Sequence, residues 1–300
     1  MKELEGGERV AQVDQASGLR SMASLEKPDP VQVVAVSSGK GGVGKTNIVA
    51  NLAVAGALHG RQVLVLDADL ALGNLDILLG LAPVYNLGDV LLGTRRLEEV
   101  IIEGPAGIRI LPATSGVQDL TALTHEQQLR LQDGFLDIQS PPDLLLIDCA
   151  AGISSNVLYF SVVAHEILVV LSPEPMSLTD VYALVKVLST RYQQKHFRIV
   201  VNMAKTAREA KHVFRKLTKV TDRYLTVSLD FAGWVPLDDY LPMAVCQQRA
   251  VVDLFPKAPS SRAMFELSGQ LARWREEQPI RGGLLLFGPS VLWNQAKEGT

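Results

Sequence analysis

The chemistry starts at Gly39-Lys40-Gly41-Gly42-Val43-Gly44-Lys45-Thr46, where a lysine and a hydroxyl stand directly behind a run of glycines. The spacing G-x-x-x-x-G-K-[ST] is that of a phosphate-binding loop, because glycines let successive backbone N–H groups turn inward around an anion at the start of a helix. Gly39, Gly41, Gly42, Val43 and Gly44 would form the cradle, and Asn47 opens the helix behind it. Lys45 would reach the β- and γ-phosphates of ATP or ADP, and Thr46 would offer its hydroxyl to Mg²⁺, a hard cation that takes oxygen ligands beside phosphates. Acids stand where such a site needs them. Val63-Leu64-Val65-Leu66 ends in Asp67-Ala68-Asp69, and Asp143-Leu144-Leu145-Leu146-Ile147 ends in Asp148. Carboxylates at the C-terminal ends of parallel strands lie where α/β sheets place their ligands. Asp148 reads as a Walker B acid that holds Mg²⁺, and the following loop to Gly152 as a sensor of the γ-phosphate.

These residues need a frame. Val33–Val36, Val63–Leu66, Leu144–Ile147, Ile167–Leu171 and Phe231–Val235 are short apolar runs, as is Phe197–Val201 but for Arg198, each leading into a turn and, for most, a helical pattern. Buried strands of a parallel sheet read this way, so the expected fold is α/β: a doubly wound, mainly parallel sheet with helices on both faces. Residues 31–277 form that domain, 1–30 a polar arm ending in Lys27-Pro28-Asp29-Pro30, and 278–300 a tail. A net charge of -3 gives no global pull toward nucleic acid, and 47% hydrophobic residues suit one sizeable core. Cys149 and Cys246 are the only cysteines, which suggests a reducing cytosol rather than a disulfide framework. No secretory leader pattern opens the chain, and no apolar run is long enough to span a bilayer.

Lys40, inside the loop, extends the match: Lys40-Gly41-Gly42-Val43-Gly44-Lys45-Thr46 resembles the deviant Walker A motif of the MinD/ParA family of P-loop ATPases. The resemblance implies a homodimer closed by ATP, in which Lys40 acts catalytically on the partner's phosphates, much as an arginine finger does. It also implies that Asp69 positions the attacking water, that Asp67 belongs to the Mg²⁺ shell or orients the loop, and that Glu174 touches the partner's ribose. Asn202, at the end of its strand, would recognise adenine, since an amide pairs with the donor and acceptor on that edge. The backbone of Pro236-Leu237-Asp238 would line the other side of the base. Cys149 invites comparison with the iron–sulfur protein of this fold family, but Cys246 falls outside the pattern that a shared cluster requires.

Asp14-Gln15-Ala16-Ser17-Gly18-Leu19-Arg20 resembles the DQAxxLR motif of the FlhG/FleN subgroup, which controls flagellar number and placement. The resemblance implies that Asp14, Gln15, Leu19 and Arg20 dock on the FlhF GTPase and stimulate it. It further implies restraint of a flagellar transcriptional activator and peripheral contact at the inner membrane or cell pole. The tail's Leu284-Leu285-Leu286-Phe287 and Trp293 are interrupted by Gly282, Gly283, Gly288 and Pro289, which departs from the family's clearest membrane helices. Between Lys186 and Arg223, eleven basic residues face only Glu209 and Asp222. That run reads as a solvated helical face, with a protein-docking surface or nonspecific DNA binding as alternatives. Residues 80 to 140 read as helix, short strand and helix, with packing as their role. Two other readings of the whole remain: a division-site or chromosome-partition ATPase, and a nucleotide-gated regulatory module that does not hydrolyse.

Overall fold

A computed structural model describes residues 31–277 apart from 71 and 115–121, with the side chains of 275–277 also outside the description. The arm carrying Asp14, Gln15, Leu19 and Arg20 and the 278–300 tail lie outside the described residues.

The sheet has eight strands: β1 (Gln32–Ser38), β2 (Val63–Ala68), β3 (Ile102–Glu103), β4 (Arg109–Leu111), β5 (Leu144–Ala151), β6 (Glu166–Leu171), β7 (His196–Ala204) and β8 (Ser228–Pro236). Their order is β3-β4-β2-β5-β1-β6-β7-β8, and every pairing is parallel except β3 with β4. The expected doubly wound sheet is therefore what forms. From β1 the chain builds outward first to one side and then, through β6, to the other. β1 is thus the switch point, the place where a crevice opens at the strands' C-terminal edge.

Each strand alternates between two apolar layers. Val34 and Val36, Val63 and Val65, and Leu144 and Leu146 face one side, where helix α1 (Lys45–Leu58) packs. Val33 and Ala35, Leu64 and Leu66, and Leu145 and Ile147 face the other. Both faces being covered explains why the strands read as continuous apolar runs rather than alternating ones. The remaining helices are α2 (Leu75–Leu78), α3 (Leu87–Leu91), α4 (Leu97–Val100), α5 (His125–Leu136), α6 (Ser155–Val162), α7 (Pro175–Arg191), α8 (Ala207–Tyr224), α9 (Tyr240–Cys246), α10 (Val251–Leu254) and α11 (Pro259–Glu277). α6 is a helix the apolar pattern alone does not announce; Ser154 caps it by accepting from the Val157 N–H. Between residues 80 and 140, the two-residue β3 and the single-turn α4 are too short to leave a periodic signature.

One basic residue leaves the expected charged surface. Arg198, on β7, is half-buried against Glu166 at 3.1 Å and Asp230 at 3.5 Å, and its guanidinium stacks 4.5 Å from the Trp274 ring centre. It ties three strands to α11 at the end of the sheet away from the glycine loop. The rest of the run is carried mainly by α8, whose buried stripe is Ala210, Val213, Leu217 and Thr221.

Candidate nucleotide-binding site

The glycine loop joins β1 directly to α1, and three of its four glycines have a steric reason of their own. Gly42 and Gly44 have φ of +79° and +80°, a left-handed backbone that glycine adopts without penalty. A Cβ on Gly44 would also lie 2.4 Å from Asn202 Nδ2, whereas Gly41 and Gly42 have no atom within 4 Å of that position. The open side of the loop is the side left for phosphate. Gly39 answers to packing instead: a Cβ there would sit 2.2 Å from the Asp180 carbonyl carbon of α7.

The loop floors a cavity of about 320 Å³, lined by Ser38, Lys40 through Asn47, Asp69, Asn74, Leu78 and Ala151. Lys40, the five residues Gly41 to Lys45, Thr46, Asn47 and Asp69 therefore line one cavity. Two larger clefts, one beside Arg95 and Arg130 and one beside Arg208 and Phe214, contain none of these residues.

Beneath the loop, β2 and β5 run in register so that Asp67 stands beside Asp148. Lys45 Nζ donates to Asp148 Oδ1 at 2.5 Å, with both groups buried, and the Thr46 hydroxyl bonds to the same carboxylate. Asp67 accepts the N–H of Asp69 and of Leu75, each at 3.2 Å. Two buried carboxylates thus share one ammonium. Burial lowers the Lys45 pKa, but the adjacent Asp148 charge and hydrogen bond outweigh it, and the ammonium stays charged. Burial pushes Asp148 up against the pull of Lys45, and burial together with the Asp148 charge raises Asp67 to about 7. A pocket one positive charge short, with three hard oxygen donors in Asp67, Asp148 and Thr46, suits a divalent cation of the Mg²⁺ type.

Asp69 is half-buried, and its Oδ1 accepts the Leu72 N–H at 3.2 Å. Lys40, at the cavity's rim, forms an ion pair with Glu174 at the start of α7, an exposed carboxylate. Both expected dimer-face residues therefore meet within one chain here. Asn202 is buried, and its Nδ2 donates to the Val43 carbonyl at 2.8 Å, so this amide holds the loop's outer side. Pro236 ends β8 opposite Ala204. The Asp238 side chain is occupied structurally, accepting from Leu241 N–H at 3.1 Å and from Ser260 N–H at 2.8 Å. Any contact of Asp238 with a base falls to its backbone. Cys149 is fully buried in β5, and burial pushes its thiol up to about 12, so it is inert, while Cys246 is exposed elsewhere.

Sequence reasoning missed Ser38, Asn74 and Leu78 as lining residues. Ser38 could have been found as the last residue before the loop; Asn74 and Leu78 depend on how the chain folds back after Asp69.

Comparison with known proteins supplies the family. A family profile described as an AAA domain matches residues 31–203. Antiactivator FleN of Pseudomonas aeruginosa is 44% identical over 269 residues, 90% of this chain and 95% of that protein. The flagellum site-determining protein YlxH of Helicobacter pylori is 29% identical over 86% of this chain and 90% of its own length. The septum site-determining protein MinD of Pyrococcus horikoshii, solved with Mg-ADP, superposes with a TM-score of 0.64 at 25% identity, over 83% of this chain and 100% of that one. The chain belongs to the MinD/ParA family of P-loop ATPases, within its FlhG/FleN subgroup, and is an ATP hydrolase.

Proposed function

We propose that this ATPase controls flagellar number and placement as a dimerising switch. The observation that carries the proposal is the placing of its two lysines at two depths: Lys45 is buried behind the loop against Asp148, while Lys40 lies at the cavity's rim, beside the exposed Glu174. A rim lysine can leave its own chain's carboxylate for the triphosphate of a second copy, which makes hydrolysis depend on dimerisation. Within each copy, the backbone amides from Gly41 to Lys45 cradle the phosphates. Lys45 exchanges Asp148 for the β- and γ-oxygens, and Asp69 orients the attacking water from the loop above. Thr46, Asp67 and Asp148 would hold Mg²⁺, which when bound neutralises charge on the phosphate oxygens. Asn202 and the backbone of Pro236-Leu237-Asp238 take the adenine.

In this reading the arm at Asp14, Gln15, Leu19 and Arg20 stimulates the FlhF GTPase, and the ATP-bound homodimer restrains a flagellar transcriptional activator. The similarity to an antiactivator supports the restraint of an activator, and the similarity to a flagellum site-determining protein supports a role in flagellar placement. No helix among the described residues is long and apolar enough to cross a membrane. In this reading any peripheral contact at the inner membrane or cell pole is assigned to the 278–300 tail.

The test is GTP hydrolysis by purified FlhF with a peptide spanning residues 1–30. Stimulation by the native peptide that disappears with Gln15→Ala supports the assignment. The absence of stimulation by either peptide removes the FlhF role and leaves an ATPase acting on other partners.

A further inference from the structure

Asp69 sits on the loop between β2 and α2, where neither strand nor helix holds it. That loop is held from outside the cavity by the segment that follows β4. The fully buried Thr114 hydroxyl donates to the Leu70 carbonyl at 2.5 Å, across 44 positions of sequence. Leu70 is itself buried, so its carbonyl has no ready exchange with water. Beside this bond, Gly73 lies so close to Ala113 that a Cβ on it would come within 2.1 Å of the Ala113 Cβ. Thr114 is seated in turn by Gly88, where a Cβ would fall 2.5 Å from Thr114 Cγ2, and by the Leu87 N–H bonding to the Pro112 carbonyl at 2.8 Å. The backbone around Asp69 is therefore pinned on both sides: its own N–H by Asp67, the next carbonyl by Thr114.

These two pins differ in kind. The Asp67 carboxylate belongs to the charged cluster under the glycine loop, so its hold on the Asp69 N–H competes with whatever else that cluster binds. Thr114 is not among the residues lining the cavity, and its bond is indifferent to what the cavity contains. A carboxylate that orients water must be set to within a fraction of an ångström, since a misplacement of ~1 Å can cost ~10²-fold in rate. We propose that Thr114 is a positioning residue for hydrolysis: its hydroxyl fixes the Leu70 carbonyl and with it the direction in which Asp69 faces the cavity. This inference rests on the reading of Asp69 as the group that orients water.

Thr114→Val keeps the shape and removes the hydroxyl, and Thr114→Ser keeps the hydroxyl. The measurement is single-turnover ATP hydrolysis by the full chain, beside binding of a fluorescent ATP analogue. Thr114→Val should lower the hydrolysis rate by about tenfold or more while ATP affinity changes by less than about twofold, and Thr114→Ser should stay within about twofold of wild type. Hydrolysis by Thr114→Val at the wild-type rate overturns the proposal. So does a fall in ATP affinity as large as the fall in rate, which would make Thr114 part of the site's general scaffold. If Thr114→Val does not fold, Thr114→Cys, of similar shape and a much weaker donor, is judged by the same split. Asp69→Asn is measured alongside: full activity there sinks the reading of Asp69, whereas an inactive Asp69→Asn with a fully active Thr114→Val sinks only the role of Thr114.

Discussion

Asp67 and Asp148 show how side chains acquire their chemistry from where strands put them. Two carboxylates side by side on neighbouring strands, buried over a single lysine, cannot both ionise cheaply, and Asp67 rises to about 7. The consequence is a proton that a cation must displace. Mg²⁺ binding in the presence of ADP should release up to about one proton and should strengthen from about pH 6 to about pH 8, because below its pKa Asp67 is neutral and competes through its proton. Calorimetry in buffers of different protonation heat measures the release directly, and Asp67→Asn should abolish it. Lys45 and Asp69 invite a separate comparison. Asp69→Asn should retain ATP binding and lose about 10²-fold or more of the hydrolysis rate, while Lys45→Ala should lose nucleotide binding itself. Rapid-quench hydrolysis and equilibrium binding on the same preparations separate the two outcomes.

At the scale of elements, the site is a meeting of strand ends, each of which can be broken independently. The end of β7 reaches over the glycine loop through Asn202, and Met203 after it adopts φ of +58°, a costly backbone for a side chain other than glycine. Gly44→Ala would drive a methyl group into that contact and demand a left-handed alanine. Nucleotide binding should fall by at least about 10²-fold, with the fold itself retained by circular dichroism. At the other end of the same strand, Arg198→Ala strands Glu166 in a buried position and removes the stacking on Trp274. It should cost about 2 to 4 kcal/mol in urea denaturation while leaving kcat/KM for ATP within about twofold, because the network lies away from the glycine loop.

For the whole molecule, the exposed rim formed by Lys40 and Glu174 sets the expectation that two copies act together. ATPase turnover per chain should rise with protein concentration, and Lys40→Ala should flatten that dependence without abolishing ATP binding. Light scattering with ATP should show a dimer for Asp69→Asn, which binds and does not turn over, and a monomer with ADP. A turnover that stays constant across a hundredfold range of concentration, beginning well below micromolar, would refute the dimer-dependent mechanism.

The loop from Gly39 to Thr46 and the strand-ending acids Asp67, Asp69 and Asp148 were legible in the sequence because glycine spacing and acids at strand ends are local patterns, set by backbone sterics and by where parallel strands stop, whereas the roles given to Lys40 and Asp69 came from the family resemblance. The fold class followed from the same local source, since a strand buried on both faces must be apolar throughout. Pairings between distant segments left no such trace. That Arg198 pairs with Glu166 rather than standing on the charged surface, that the Asp238 side chain caps helices, that Asn202 grips Val43, and that Thr114 holds the loop of Asp69 all depend on contacts across tens to hundreds of positions. A lone threonine, asparagine or arginine carries no periodicity of its own, and only tertiary packing decides which buried polar atom must find which partner.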